Sequence, residues 1–236
     1  MHFVIDHLQK RFDTQEVLRD VSGTFESGRI YGLLGRNGAG KTTLFNCLNR
    51  DLTADGGSFF LEEDGVRREV TADDVGYVLS TPTVPEFLTG REFLKFLLDI
   101  HRARLPQVLD LDAYLDWVAI APADRDKLLK DYSHGMKNKM QMLVYLILQP
   151  PVLLLDEPLT SLDVVVAEEM KALLRRQRDG RVLIVSTHLL DLAMDLCDEI
   201  VLLHRGVLEP IARETLDDAD FKARILDALR EEDGRG

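Results

Sequence analysis

The sequence predicts an α/β fold whose core is a parallel sheet. Three observations carry that prediction. Apolar strand-like runs alternate with helix-like patterns in the second half of the chain; one buried-type run feeds a glycine-rich turn and then a helix; and the middle of the chain reads as helical. Taken in order, residues 3–8 alternate apolar and polar side chains, and Val17-Leu18 and Val21 continue in that style, with turns at Asp13-Thr14 and Ser27-Gly28. Residues 29–34 form an apolar run that ends in Gly35, the pattern of a strand covered on both faces. Asp55-Gly56-Gly57 and Asp64-Gly65 are turn signals on either side of a strand at 58–61, and 75–79 is a further strand.

Thr89-Gly90-Arg91-Glu92 has the pattern of a capping box, and the helix it opens places Phe93, Phe96, Leu97 and Ile100 on one face. Helices follow at about 111–119 and 133–148. After Pro150-Pro151, strand patterns at 152–155, 182–185 and 200–203 are separated by helical patterns at 164–178 and 189–196. Residues 213–230 read as one amphipathic helix with a polar end beyond it. There is no internal repeat and no low-complexity segment.

Composition narrows the function. The chain has 236 residues, 45% apolar and 30% charged, the balance of a folded domain with a real core. Its formal net charge of −12 argues against nonspecific nucleic-acid binding, which needs Lys and Arg to neutralise phosphates, and against self-anchoring on an anionic membrane. Cys47 and Cys197 lie far apart without metal-ligand neighbours, so the expectation is two small buried hydrophobes in a reducing compartment. The opening Met1-His2-Phe3-Val4-Ile5-Asp6 does not fit a signal peptide. The most apolar stretch, 143–155, is broken by Gln149-Pro150-Pro151 and falls short of the roughly 20 residues of a spanning helix.

The chemistry begins at Gly35-Arg36-Asn37-Gly38-Ala39-Gly40-Lys41-Thr42, which fits GxxxxGK[ST] between a strand and a helix. Glycines let the backbone curl so that successive N–H groups face phosphate oxygens, and the helix adds the positive end of its dipole. Lys41 supplies a point charge to the β- and γ-phosphates, and the Thr42 hydroxyl is a hard ligand for Mg²⁺. A second site supports the first. Residues 152–155 are an apolar run ending in Asp156-Glu157, which sets two carboxylates at the C-terminal end of a buried strand, where ligands bind in parallel sheets. Asp156 is expected to hold Mg²⁺ through water, and Glu157 to polarise the water that attacks the γ-phosphate.

With these residues in place, the sequence resembles the ATP-binding subunits of ABC transporters. Leu33-Leu34-Gly35-Arg36-Asn37-Gly38-Ala39-Gly40-Lys41-Thr42-Thr43-Leu44 resembles that family's Walker A motif, and Leu153-Leu154-Leu155-Asp156-Glu157-Pro158 its Walker B. Leu162-Asp163 matches the D-loop, Ser186-Thr187-His188 the switch-histidine loop, and Tyr132-Ser133-His134-Gly135-Met136-Lys137 stands in place of the signature. The resemblance implies a P-loop NTPase (RecA-like) parallel-sheet core with an N-terminal antiparallel β subdomain and an inserted α-helical subdomain at about 82–150. The ATP-binding domain would span 1–210, with an amphipathic helix and tail at 211–236. It implies ATP and Mg²⁺ as the bound species, and ATP hydrolysis coupled to transport. Phe12 takes the place of an aromatic that stacks on adenine, a core Phe being the alternative. His188 would bond the γ-phosphate and align Glu157. Ser133 and Gly135 would reach the nucleotide of an opposite subunit, and Asp163 would couple the two sites. A second ATP-binding subunit and separate integral membrane subunits are therefore implied, with the chain cytoplasmic and peripheral on the cytoplasmic face of the plasma membrane.

Three departures stand out. His134 and Met136 replace a Gly and the Gln of the signature; Ser80, in Gly76-Tyr77-Val78-Leu79-Ser80, replaces the Gln of the Q-loop; and Ser161 stands where a Gly is common. The shorter Ser80 would reach Mg²⁺ only through water. The Tyr-Ser-x-Gly-Met signature resembles that of a subgroup rich in exporters, so export is the expected direction. Residues 80–88, with two prolines and apolar side chains, are expected to receive a membrane subunit, the alternative being a rigid connecting loop. Two other functions compete: a soluble ABC-type ATPase outside transport, and a weakly hydrolysing nucleotide switch. A P-loop kinase or GTPase lacks support, since no Asn-Lys-x-Asp base-reading motif is present.

Overall fold

The computed structural model describes residues 1–105, 109–160 and 162–211. The apolar runs behave as their composition dictates. β3 (Arg29–Leu34), β7 (Val152–Asp156) and β8 (Val182–Thr187) are buried almost throughout, because helices cover both faces of the sheet. With β6 (Val75–Val78) and β9 (Glu199–His204) they form a parallel block in the order β9-β3-β8-β7-β6. The antiparallel block is made of β1 (His2–Phe12), β2 (Gln15–Glu26), β4 (Gly56–Glu63) and β5 (Val66–Glu69). A last strand, β10 (Val207–Ile211), runs antiparallel to β9 and parallel to β2, and so stitches the blocks into one ten-stranded sheet, β5-β4-β1-β2-β10-β9-β3-β8-β7-β6.

Helix α1 (Lys41–Leu48) follows β3 directly. Between β6 and β7 lie α2 (Gly90–His101), α3 (Leu111–Trp117), a 3₁₀ turn at Leu129–Asp131 and α4 (His134–Leu148). α5 (Val164–Arg176) and α6 (Leu190–Leu196) complete the crossovers around β8. One core cluster joins the inserted helices to one face of the sheet through Leu94, Leu143, Leu146 and Leu155, while Phe3, Phe25, Phe45 and Leu154 belong to a second cluster shared by α1 and the antiparallel block. Cys47 and Cys197 are both buried.

The capping box that opens α2 is formed in full: the Glu92 N–H donates to Thr89 Oγ1, and the Thr89 N–H to the Glu92 carboxylate. Only part of the expected apolar face, Leu97 and to a lesser degree Phe93, is the buried one. Leu94, Leu97 and Leu98 face the core, whereas Phe96 and Ile100 are 57% and 59% exposed and Phe93 only partly packed. Both stripes satisfy helical spacing, and packing against α3 and α4 selects the leucines. β5 and β10 lie outside the expected strands. Val66-Arg67-Arg68-Glu69 has the charged composition of an edge strand, and β10 carries Pro210 near its end. The helix expected at 213–230 and the D-loop Ser161 lie outside the described residues.

Candidate functional site

The C-terminal ends of three adjacent strands, β3, β8 and β7, point the same way, and the expected chemistry gathers there. β3 runs into the loop 35–40. Gly38 and Gly40 adopt φ of +83° and +102°, left-handed values that only glycine takes without strain. A Cβ on Gly40 would also lie 2.9 Å from Val17 Cγ1. α1 then starts with no side-chain cap, so its first N–H groups are left for an anion. The Lys41 ammonium is held inside the loop, donating to Gly35 O at 2.6 Å and Arg36 O at 3.1 Å. Burial lowers its pKa, and the charges of Glu157 and Asp156 partly offset that effect.

Opposite the loop, the Asp156 carboxylate is buried among hydroxyls. Thr42 donates to Oδ2 at 2.8 Å, Ser186 to Oδ1 at 2.5 Å, and Tyr77 to Oδ2 at 3.4 Å. Burial, with the adjacent Asp156 charge, raises the Tyr77 pKa and keeps that hydroxyl a donor. Glu157 leaves the strand at φ +50°. Its Oε1 is 2.8 Å from His188 Nδ1 and 3.9 Å from Lys41 Nζ, while Oε2 is buried with no protein partner.

These groups line a cleft of about 450 Å³. The loop contributes Arg36, Asn37, Gly38, Gly40, Lys41, Thr42 and Thr43, the strand ends give Asp156 and Glu157, and Ser80, Phe12 and Val17 close it. The Phe12 ring is 43% exposed, with Lys10 Nζ 5.4 Å from its centroid, and so presents a face instead of filling the core. Gly35 and Ala39 belong to the loop without lining the cleft, and His188 meets it through Glu157. Ser133, Gly135 and Asp163 are not brought to it. Ser133 caps α4 by accepting the Met136 N–H, and Asp163 caps α5 by accepting the Val166 N–H. In the sequence Val17 reads only as part of a strand and Tyr77 only as part of the segment 76–80, neither with a role at the site. Ser186 was legible only as part of Ser-Thr-His at a strand end.

The donor set fits a nucleotide with Mg²⁺. Among the described residues no group of three or more His, Cys, Asp and Glu could hold a metal by itself. One hydroxyl and one carboxylate, both hard oxygen donors beside a phosphate-shaped loop, are what Mg²⁺ takes when phosphates and water complete its shell.

A loop shaped for phosphates that opens a helix, backed by acid from a nearby strand, places the chain among P-loop nucleotide-binding proteins. Comparison with known proteins narrows this. The family profile described as ABC transporter matches residues 18–160, more than half of the chain. An uncharacterised ABC transporter ATP-binding protein of Bacillus subtilis is 29% identical over 87% of this chain and 67% of its own length. The sulfate/thiosulfate import ATP-binding protein CysA of Ralstonia nicotianae is 32% identical over 89% of this chain. The chain spans only 59% of that relative. A solved ATP-binding subunit of an ABC transporter superposes with a TM-score of 0.80 at 23% identity, covering 98% of this chain and all of that one. A dimeric ATP-binding cassette solved in a post-hydrolysis state with ADP and Pi gives 0.75 at 18% identity, over 89% of this chain and 99% of its own. At these identities both show the fold alone. The chain belongs to the ABC transporter family, and its P-loop core is that family's ATP-binding domain.

Proposed function

We propose that the chain is the ATP-hydrolysing power unit of an ABC transporter, acting as one half of a head-to-tail pair against separate integral membrane subunits. The observation that carries this reading is the arrangement around Glu157. His188 holds Oε1, and Lys41 of the phosphate loop lies 3.9 Å from the same oxygen, while Oε2 is buried with no protein partner. The Glu157 carboxylate is the group that would take a proton from an attacking water, and His188 keeps it aimed. The loop N–H groups and Lys41 bind the phosphates, and the exposed face of Phe12 takes the adenine ring. Thr42 and Asp156 would hold Mg²⁺, with Ser80 reaching it through water; the ion supplies charge neutralisation on the phosphates when bound.

Ser133, Gly135 and Asp163 have no place at the chain's own cleft, which supports their serving a nucleotide held by a second ATP-binding unit. Val164 and Val165, 80% and 68% exposed beside Asp163, suit a seam that a partner covers. The 1–210 domain, with helices inserted at about 82–150, would meet the membrane subunits through the loop 80–88 and α2. There Phe87, Phe96 and Ile100 are all more than half exposed. No helix among the described residues is long and apolar enough to cross a membrane, and the proposed place is peripheral, on the cytoplasmic face. Export rests on the signature type alone, and the CysA relatives are named for import, so the proposal is ATP-driven transport without a direction. The Glu157–His188 contact weighs against a switch that barely hydrolyses.

The test is ATP binding and hydrolysis by the chain and by Lys41→Ala, with recovery of the chain on membranes beside its partner. Lys41→Ala should weaken ATP binding at least tenfold, about 1.4 kcal/mol. Binding within about threefold of the parent removes the phosphate-loop reading, and recovery without a membrane partner favours the soluble ATPase.

A further inference from the structure

Ser186, the last residue but one of β8, lies directly opposite Asp156 in the β7–β8 register, and it is fully buried. A hydroxyl has one proton to donate and two lone pairs to accept with. Here the proton goes to Asp156 Oδ1, at 2.5 Å, and the oxygen accepts the Glu157 N–H at 3.2 Å. The Ser186 carbonyl shares that same N–H at 3.3 Å. One side-chain oxygen therefore touches both residues that the proposed reaction depends on.

The consequences differ for the two acids. With Oδ1 held by Ser186, the Asp156 carboxylate cannot turn about its own axis, and Oδ2 stays toward Thr42. Glu157 stands in the left-handed region, which is unfavourable for a residue with a Cβ. Its N–H, shared between two Ser186 oxygens, fixes the backbone there and sends the side chain to His188, two residues further along the same strand end.

We propose that Ser186 is a positioning residue that sets the Asp156 carboxylate and the Glu157 backbone as a unit, and so fixes the metal-side and water-side acids relative to each other. This rests on the ATP-hydrolysing reading above. Partners one bond removed from a metal's ligands are worth about 10- to 100-fold in affinity or activity, which sets the scale of the test.

The experiment uses the whole chain with Ser186→Ala and Ser186→Cys. Cysteine is somewhat larger than serine and is only a weak donor and acceptor, so it keeps the position filled while weakening the hydrogen bonds, and it carries the test if the alanine variant does not fold. Binding of an N-methylanthraniloyl ATP analogue is measured in EDTA and across a Mg²⁺ titration, and kcat and KM for ATP are measured beside it. Both variants should bind the analogue in EDTA within about threefold of the parent. Both should need about tenfold more Mg²⁺ for half-saturation, and lose at least tenfold in kcat with KM little changed. An unchanged Mg²⁺ requirement in the cysteine variant overturns the proposal, since packing alone then suffices. Equal losses with and without Mg²⁺ overturn it too, because they mark general disruption. If the parent chain itself binds no Mg²⁺-nucleotide, the reading of the whole site fails; if only the variants depart from expectation, that reading survives and the role of Ser186 falls.

Discussion

Glu157→Gln isolates the proposed base from everything else in the cleft. The substitution keeps the length and shape of the side chain. The amide oxygen can still accept from His188 Nδ1, 2.8 Å away in the parent, when that nitrogen carries the proton. What is lost is the basicity of the carboxylate. A positioned general base contributes about 10²–10⁴ in rate, so hydrolysis should fall by about 10²–10³, or roughly 3–4 kcal/mol of barrier. Binding should move the other way or not at all. A carboxylate 3.9 Å from the Lys41 ammonium competes with a phosphate for that cation and repels the phosphate directly, and glutamine does neither. The expected phenotype is therefore tight ATP binding with stalled turnover, and a nucleotide-dependent dimer that accumulates on a sizing column. The assays are phosphate release under single-turnover conditions, equilibrium ATP binding, and elution volume with and without ATP. Turnover within about threefold of the parent, from a protein that stays monomeric with ATP bound, would refute both the base role and the paired arrangement.

Two predictions concern the frame that carries the site. Gly57, at φ +76°, faces the bulge of β1, and a Cβ there would fall 2.2 Å from the His7 carbonyl oxygen, a backbone atom that cannot swing away. Gly57→Ala should destabilise the fold by about 3 kcal/mol, lowering Tm by about 6–12 °C; a shift under about 2 °C shows that the bulge yields. Asp74 is buried under a forked pair of hydrogen bonds from Arg68, with Thr71 donating as well, and Arg68 foremost holds its pKa far below the usual carboxylate range. A depressed folded pKa gives stability that is present above about pH 4 and lost as pH falls below it. Thermal melts at pH 6 and pH 3 should accordingly show a smaller acid-induced drop in Arg68→Ala than in the parent, and equal drops would contradict the assignment.

The site was legible where its chemistry is local in the chain. The phosphate loop and the Asp156-Glu157 step each follow an apolar strand, and their residue types follow from short-range geometry: positive φ at Gly38 and Gly40, and carboxylates at a strand end; His188 came only through the family resemblance. What stayed hidden depends on register. That Ser186 and Tyr77 meet Asp156 follows from β7 pairing with β8 on one side and β6 on the other, a long-range outcome that no spacing encodes. The phase of α2 was hidden for another reason. Its sequence carries two apolar stripes of similar quality, and only the neighbouring helices decide that Leu94, Leu97 and Leu98 go inside and Phe96 and Ile100 stay out. β5 escaped notice because an edge strand of charged residues lacks the apolar alternation that marks a strand.

The signature and D-loop residues show where reading a motif and reading a site part company. Ser133 accepts the Met136 N–H and Asp163 accepts the Val166 N–H, so in the single chain each is an N-cap at the start of a helix. Ser and Asp are favoured there on capping grounds alone, with no nucleotide involved, and their spacing from the following apolar residues is what a capped helix requires. A functional role needs something more: a polar group or helix N-terminus facing a cleft that it can reach. The chain's own cleft is lined by other residues. In the proposed paired arrangement the caps would in addition hold these helix ends in shape for a surface completed by another molecule. This makes Ser133→Ala a two-part change. It should remove about 1 kcal/mol of helix stability in the isolated chain, and in addition weaken the ATP-dependent pairing of two units. If pairing is unaffected while the stability loss appears in full, Ser133 is a cap and nothing else.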